Sequence, residues 1–326
     1  MRNIFYRDAV LEALDEEMAR DPMVMMIGED VGIGDGTWRC SKGLREKYGD
    51  LRMKDSPICE SGFTGMCLGM ALTGLRPISE IMFSDFMLVA MDQIVNQIAK
   101  ITYMSGGQKN VPMVIRSTIG MGRASAAQHS QNLAATVAHF PGIKVVMPSD
   151  AYTAKGLLKS AIRDDDPVLV IEHRKQYSMR YDMPDDDGGE LLLPIGKSEV
   201  VREGSDVTVL ASSYEVCLCK AAAAALEKEG VSVEVIDLRS LVPLDKECII
   251  ASVKKTGRLL IVDEDYESFG VAAEIIAAIQ EEVFYDLDAP IRRLCVPNCP
   301  IPFSPALEKL VTPSEDSITR AIRKML

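Results

Sequence analysis

Ser56-Pro57-Ile58-Cys59-Glu60-Ser61-Gly62-Phe63-Thr64-Gly65-Met66-Cys67-Leu68-Gly69-Met70 sets a single acid at the head of a run of small and apolar residues. Ser61, Gly62, Gly65 and Gly69 leave one helical face almost bare, so that something can approach the backbone closely. An isolated carboxylate is expensive to bury. Glu60 is therefore either a first-turn acid that complements the helix dipole and lies in solvent, or an acid that faces a ligand held against the glycines.

Outward from this helix the chain alternates. Residues 23–27 form a short apolar run read as a buried strand before Gly28, and 35–50 form a long polar loop with a short helix. Strands are expected at 77–83, 111–116, 144–147 and 167–172, and helices at 5–20, 131–139 and 150–162. Asp85 is expected to cap a long helix that runs to about Tyr103. This pattern predicts an α/β fold, a mostly parallel sheet with helices on both faces. The acidic, glycine-bearing stretch after Tyr181 breaks the alternation, so residues 1–180 read as one domain and 181–194 as a linker. A second α/β domain follows at 195–326, with a terminal helix starting at Ser314.

The totals suit a soluble globular protein with a substantial core: 326 residues, 47% hydrophobic and 26% charged. A net charge of −12 argues against nucleic acid as a partner. There is no apolar run of membrane-spanning length and no signal-peptide core at the N-terminus, so the expected location is cytoplasmic. The eight cysteines show no paired zinc pattern, and three histidines do not make a multi-histidine metal site.

No Walker sequence and no Gly-x-Gly-x-x-Gly between strand and helix is present. The stretch Ala126-Ala127-Gln128-His129-Ser130-Gln131 ends a loop of small residues after a strand, where open α/β sheets put their sites. His129 is thus a candidate for proton transfer or for oxyanion contact, or else the cap of the following helix. His139 and His173 read as structural or superficial. Arg76, Arg116 and Arg123 are all able to pair with acids, and the sequence does not choose among them.

Several ordered motifs add up to a family. They are Ile27-Gly28-Glu29-Asp30-Val31-Gly32, Pro57-Ile58-Cys59-Glu60, Asp92-Gln93-Ile94-Val95-Asn96-Gln97, Tyr103-Met104-Ser105-Gly106-Gly107, Gln128-His129-Ser130-Gln131, Pro141-Gly142-Ile143-Lys144 and Val235-Ile236-Asp237-Leu238-Arg239. Together they resemble the β subunit of the thiamine-diphosphate-dependent component of 2-oxo acid dehydrogenase complexes, the group of pyruvate, branched-chain and acetoin dehydrogenases. The resemblance runs from about residue 4 to the C-terminus. It implies a pyrimidine-binding domain followed by a transketolase C-terminal-like domain. A separate α subunit in an α2β2 tetramer would hold magnesium and the diphosphate. Gly34-Asp35-Gly36 looks like the family's magnesium signature, but that signature needs a following asparagine as oxygen ligand. The next asparagine is the distant Asn96, so this stretch reads as a turn.

By the same resemblance, Glu60 matches the glutamate that hydrogen-bonds the cofactor's aminopyrimidine, and Phe86 matches the aromatic residue packed on that ring. His129 matches a histidine at the substrate end. Met113, Ala161, Ile162, Asp164 and Asp166 resemble a potassium-binding loop, whose oxygens otherwise serve as a helix cap. The implied reaction is cleavage next to the carbonyl of a small 2-oxo acid or acetoin, with acyl transfer to lipoyl on an acyltransferase core. Met121 and Arg123 stand in the loop 117–127 where relatives carry small residues, which implies a changed substrate end. Thr37-Trp38-Arg39 suits an acetoin-type enzyme. The C-terminal domain is expected to serve assembly, with Asp263-Glu264-Asp265 as a solvated acidic patch for the core. The rival readings are half of a split transketolase or deoxyxylulose-phosphate synthase, and a non-catalytic docking subunit.

Overall fold

Val24–Gly28, Val114–Ile119 and Val168–His173 are buried from end to end, as strands covered on both faces must be. The computed structural model describes residues 1–36, 38–185 and 190–326. Thr37 and part of the expected linker, 186–189, lie outside the described residues. The chain divides into two units, one of Met1–Ile119 with Thr136–Ile195, the other of Gly120–Ala135 with Gly196–Leu326.

In chain order the first stretch contains β1 (Arg2–Phe5), α1 (Tyr6–Arg20), β2 (Val24–Gly28), α2 (Leu44–Tyr48), β3 (Met53–Asp55), α3 (Glu60–Leu72) and β4 (Arg76–Ile81). There follow α4 (Ile101–Met104), β5 (Val114–Ile119), α5 (Ala134–Ala138), β6 (Lys144–Val146), α6 (Ala151–Arg163), β7 (Val168–His173) and β8 (Arg180–Met183). In the first unit the strands run β6-β7-β5-β4-β2-β3, every pair parallel. Val10 and Leu14 of α1, Leu157 and Leu158 of α6, and Met26, Ile78 and Val170 of the strands share one core. Gly28 is obligatory: a Cβ there would lie 2.7 Å from the Glu80 carbonyl oxygen.

The second unit contains β9 (Glu199–Arg202), β10 (Val207–Ala211), α7 (Tyr214–Glu227), β11 (Val233–Asp237), β12 (Ser240–Val242), α8 (Lys246–Thr256), β13 (Leu259–Tyr266), α9 (Val271–Val283), β14 (Arg292–Val296), α10 (Pro305–Val311) and α11 (Glu315–Arg323). Its sheet runs β14-β13-β10-β11-β9, parallel except for the edge strand β9. Ser314 and Ser317 close a capping box at the start of α11.

Three expectations need correction. The long helix from Asp85 does not form. A 3₁₀ turn (Ser84–Leu88), a wide π turn (Asp92–Ile98) and α4 replace it, and Asp85 lies inside the 3₁₀ turn, whose N-cap is Phe83. Widening the helix frees main-chain carbonyls, and Lys100 Nζ takes that of Val95 at 3.0 Å. The helix expected from Gln131 starts only at Ala134, because Asn132 Oδ1 accepts the Ala134 N–H at 3.0 Å and sets the first turn there. Residues 180–183, partly within the expected linker, form β8, paired antiparallel with β1.

Candidate active site

A parallel sheet sends its loops out from the carboxyl ends of its strands, and these loops carry the site in open α/β folds. In the first unit, β2 delivers Glu29, β3 leads through Ser56–Cys59 to Glu60, and β4 leads to Phe86. Glu60 is the first residue of α3. It is only 5% exposed, and its carboxylate forms no hydrogen bond or ion pair with a described residue. The solvated first-turn acid is thereby excluded by burial. The N-terminal end of the helix dipole favours the negative charge of this largely buried residue, which suits a group meant to meet a ligand.

Glu29 is the neighbour that inspection of residue types missed. Its Oε1 is buried without a hydrogen-bond partner among the described residues. Burial, then the charges of Glu60 and Asp30, push its carboxyl above the ordinary value. Asp55 orders the loop between them by accepting the Gly32 and Ile33 N–H groups at 2.7 and 3.0 Å. Gly34-Asp35-Gly36 is a turn in which the Asp30 carbonyl accepts from Gly34 and Gly36. Phe86 is half-buried, its ring edge-on to Phe83 at 5.8 Å. Glu60 and Phe86 thus belong to one unit and one sheet edge.

His129 is half-buried on the segment 120–135, which belongs to the second unit. Met121, in the loop expected near the substrate end, is fully buried among Val296, Ile301, Tyr266 and Val311 of that unit. The acidic run is likewise not a solvated patch. Asp263, Glu264 and Asp265 lie inside β13, at 8, 4 and 6% exposure. Burial holds the Asp263 carboxyl up at about 6, and burial with the charge of Asp263 holds Asp265 at about 7. Glu215 is pushed well above the ordinary range by burial and by Glu264, to which it hydrogen-bonds.

The residues of the expected potassium loop gather at the end of α6. Arg76 donates to the carbonyls of Ile162 and Asp164 at 3.0 and 2.9 Å. Lys144 Nζ donates to both Asp164 carboxylate oxygens at 2.9 and 2.7 Å and lies 3.1 Å from Asp166. The Met113 carbonyl accepts from Val168, and that of Ala161 from Asp164.

Comparison with known proteins accounts for both units. The family model "Transketolase, pyrimidine binding domain" matches residues 2–179, and "Transketolase, C-terminal domain" matches 196–318. A solved structure of a split-gene transketolase, an inactive β4 tetramer, superposes with a TM-score of 0.77 over 99% of this chain and 98% of that one. At 23% identity it speaks for the fold alone. The 2-oxoisovalerate dehydrogenase subunit beta of Bacillus subtilis is 44% identical over 98% of both chains. The acetoin:2,6-dichlorophenolindophenol oxidoreductase subunit beta of Cupriavidus necator is 44% identical over 100% of this chain and 98% of its own. The mitochondrial pyruvate dehydrogenase E1 component subunit beta of Homo sapiens is 45% identical over 98% and 90%. The chain belongs to this family of β subunits of 2-oxo acid and acetoin dehydrogenases.

Proposed function

We propose that the chain is the β subunit of a thiamine-diphosphate-dependent 2-oxo acid or acetoin dehydrogenase, active as an α2β2 tetramer. It acts with a lipoyl acyltransferase core on a small 2-oxo acid or acetoin. Residues 1–180 serve as the pyrimidine-binding domain and 195–326 as the transketolase C-terminal-like domain, with 181–194 between them. The burial of Glu60, whose carboxylate has no hydrogen-bond or ion-pair partner among the described residues, carries the reading. A pyrimidine nitrogen that shares a proton with it would supply the hydrogen bond it lacks. Phe86 packs on the ring face, and His129 meets the substrate end and assists acyl transfer.

The cofactor supplies the electron sink for the carbanion formed beside the carbonyl. Glu60 holds and moves the proton that activates it, while magnesium and the diphosphate are held mainly by the α subunit. Potassium, if bound, would be held by the Met113, Ala161, Ile162 and Asp164 carbonyls, of which those of Ile162 and Asp164 already accept from Arg76. The Asp164 and Asp166 carboxylates are already engaged by Lys144. Among the described residues no helix is long and apolar enough to cross a membrane; the proposed location is cytoplasmic.

Co-expression with the α subunit, followed by assay of lipoyl acylation with pyruvate, branched-chain 2-oxo acids and acetoin, tests this reading. Acylation from at least one of them, dependent on thiamine diphosphate, is expected. Turnover of sugar phosphates alone would point to a split transketolase instead.

A further inference from the structure

The loop that leads to His129 is held by acids that lie far along the chain. Glu264 of β13 accepts the Met121 N–H. Glu308 of α10 accepts the Gly122 N–H through Oε1 at 2.6 Å and the Ala124 N–H through Oε2 at 3.2 Å. Glu308 is 2% exposed, so both carboxylate oxygens are spent on main-chain donors away from bulk water. Hydrogen bonds to an ionised acceptor of this kind are among the strong ones. The Met121 side chain is sunk in the same unit and accepts from Thr312 Oγ1 at 3.6 Å.

The conformation being held is one that the loop would not adopt by itself. Gly122 has φ +93°, Ala124 +50° and Ala126 +60°. Residues with a Cβ rarely occupy this left-handed region, and they stay there only where the surroundings over-determine it. The Ala124 N–H that Glu308 binds belongs to one of these residues. The two bonds fix Gly122 and Ala124, and with them the backbone that enters the His129 segment.

We propose that Glu308 is a positioning residue for the reaction: its carboxylate clasps the Gly122 and Ala124 amides and thereby sets where His129 stands. The inference rests on the reading of His129 as the group at the substrate end. It gives the second unit a part in the chemistry, beyond the assembly role that its sequence suggests.

The test uses the full-length chain assembled with its α subunit and the variants Glu308→Ala, Glu308→Gln and His129→Ala. In Glu308→Ala, amide hydrogen exchange at Gly122 and Ala124 should speed up by roughly tenfold or more, the equivalent of a lost charge-assisted hydrogen bond. The kcat for lipoyl acylation should fall at least as far, with KM for the 2-oxo substrate near wild type. Glutamine keeps one acceptor oxygen, so Glu308→Gln should retain protection at Gly122, lose it at Ala124 and show an intermediate kcat. It also serves as the deciding variant if the alanine protein fails to fold. Unchanged exchange at both amides would overturn the clasp. Faster exchange with wild-type kcat, while His129→Ala lowers kcat, would overturn the positioning role. A His129→Ala enzyme as active as wild type would instead remove the reading of His129, leaving the clasp to be judged by exchange alone.

Discussion

Arg116 grips Glu172 at both ends: Nε donates to Oε1 at 2.8 Å and Nη2 to Oε2 at 2.7 Å, with neither side chain exposed to water. Nη1 donates to Glu80 on the neighbouring strand, and Tyr177 donates to Glu172 Oε2 from the other side. Three charged groups are thus buried beneath the sheet edge that carries Glu29 and Glu60. Register explains the meeting, because Glu80 lies opposite Arg116 on β5 and Glu172 opposite Thr118.

Removing Arg116 alone should therefore be severe. Arg116→Met leaves Glu80 and Glu172 as uncompensated buried acids, and the loss should be roughly 3–5 kcal/mol. Adding Glu80→Gln and Glu172→Gln to the same chain should recover much of it. Denaturant midpoints of the single and triple variants measure this, and a single variant within about 1 kcal/mol of wild type would contradict the assignment.

Asp265 gives a pH signature. Its carboxyl sits at about 7 in the folded chain, while the unfolded chain releases the proton near pH 4. The folded state thus holds the extra proton, and stability falls as pH climbs from about 4 to about 7, then levels off. Asp265→Asn keeps an acceptor for the Tyr266 N–H and removes the ionisable group. Its melting temperature should match wild type at pH 4 and exceed it at pH 8. The gain should be on the order of 2 kcal/mol, about half of what three pKa units imply, because Asp263 titrates with it. An equal difference at both pH values would rule out this origin.

Lys144 offers a test of the α6 corner. In wild type the Asp164 and Asp166 carboxylates are both paired with this one ammonium group. Lys144→Met should leave them open to a monovalent cation, so the rise in melting temperature from sodium to potassium chloride at equal ionic strength should be larger than in wild type. Identical curves in the two salts for both proteins would remove potassium from this corner.

How far the sequence announces these features depends on the range of the interactions involved. The alternation of strands and helices is legible because buried parallel strands read as continuous apolar runs. The short edge pair β1–β8 has no such run, and its paired residues lie 175 (Phe5 with Arg180) to 181 (Arg2 with Met183) positions apart. Glu60 stands out as one acid among glycines, whereas Phe86 acquires a role only through the family resemblance. Glu264 and Glu308 look like ordinary acids, because their partners are main-chain N–H groups 143 and 186 positions away, which carry no residue-type signal. The region 84–104 keeps its helical composition, yet side-chain bonds such as Lys100 to Val95 compensate a broken backbone ladder that propensity cannot foresee.

The most direct test of the central claim is hydrogen–deuterium exchange at the thiazolium carbon of thiamine diphosphate bound to the assembled α2β2 enzyme. Glutamine at position 60 preserves the size of the side chain but cannot share a proton as a carboxyl does. Glu60→Gln should therefore slow the exchange by about 10²–10⁴-fold, the usual contribution of a general acid–base group, with cofactor still bound and melting temperature near wild type. Exchange at the wild-type rate in the cofactor-loaded Glu60→Gln enzyme would contradict the account.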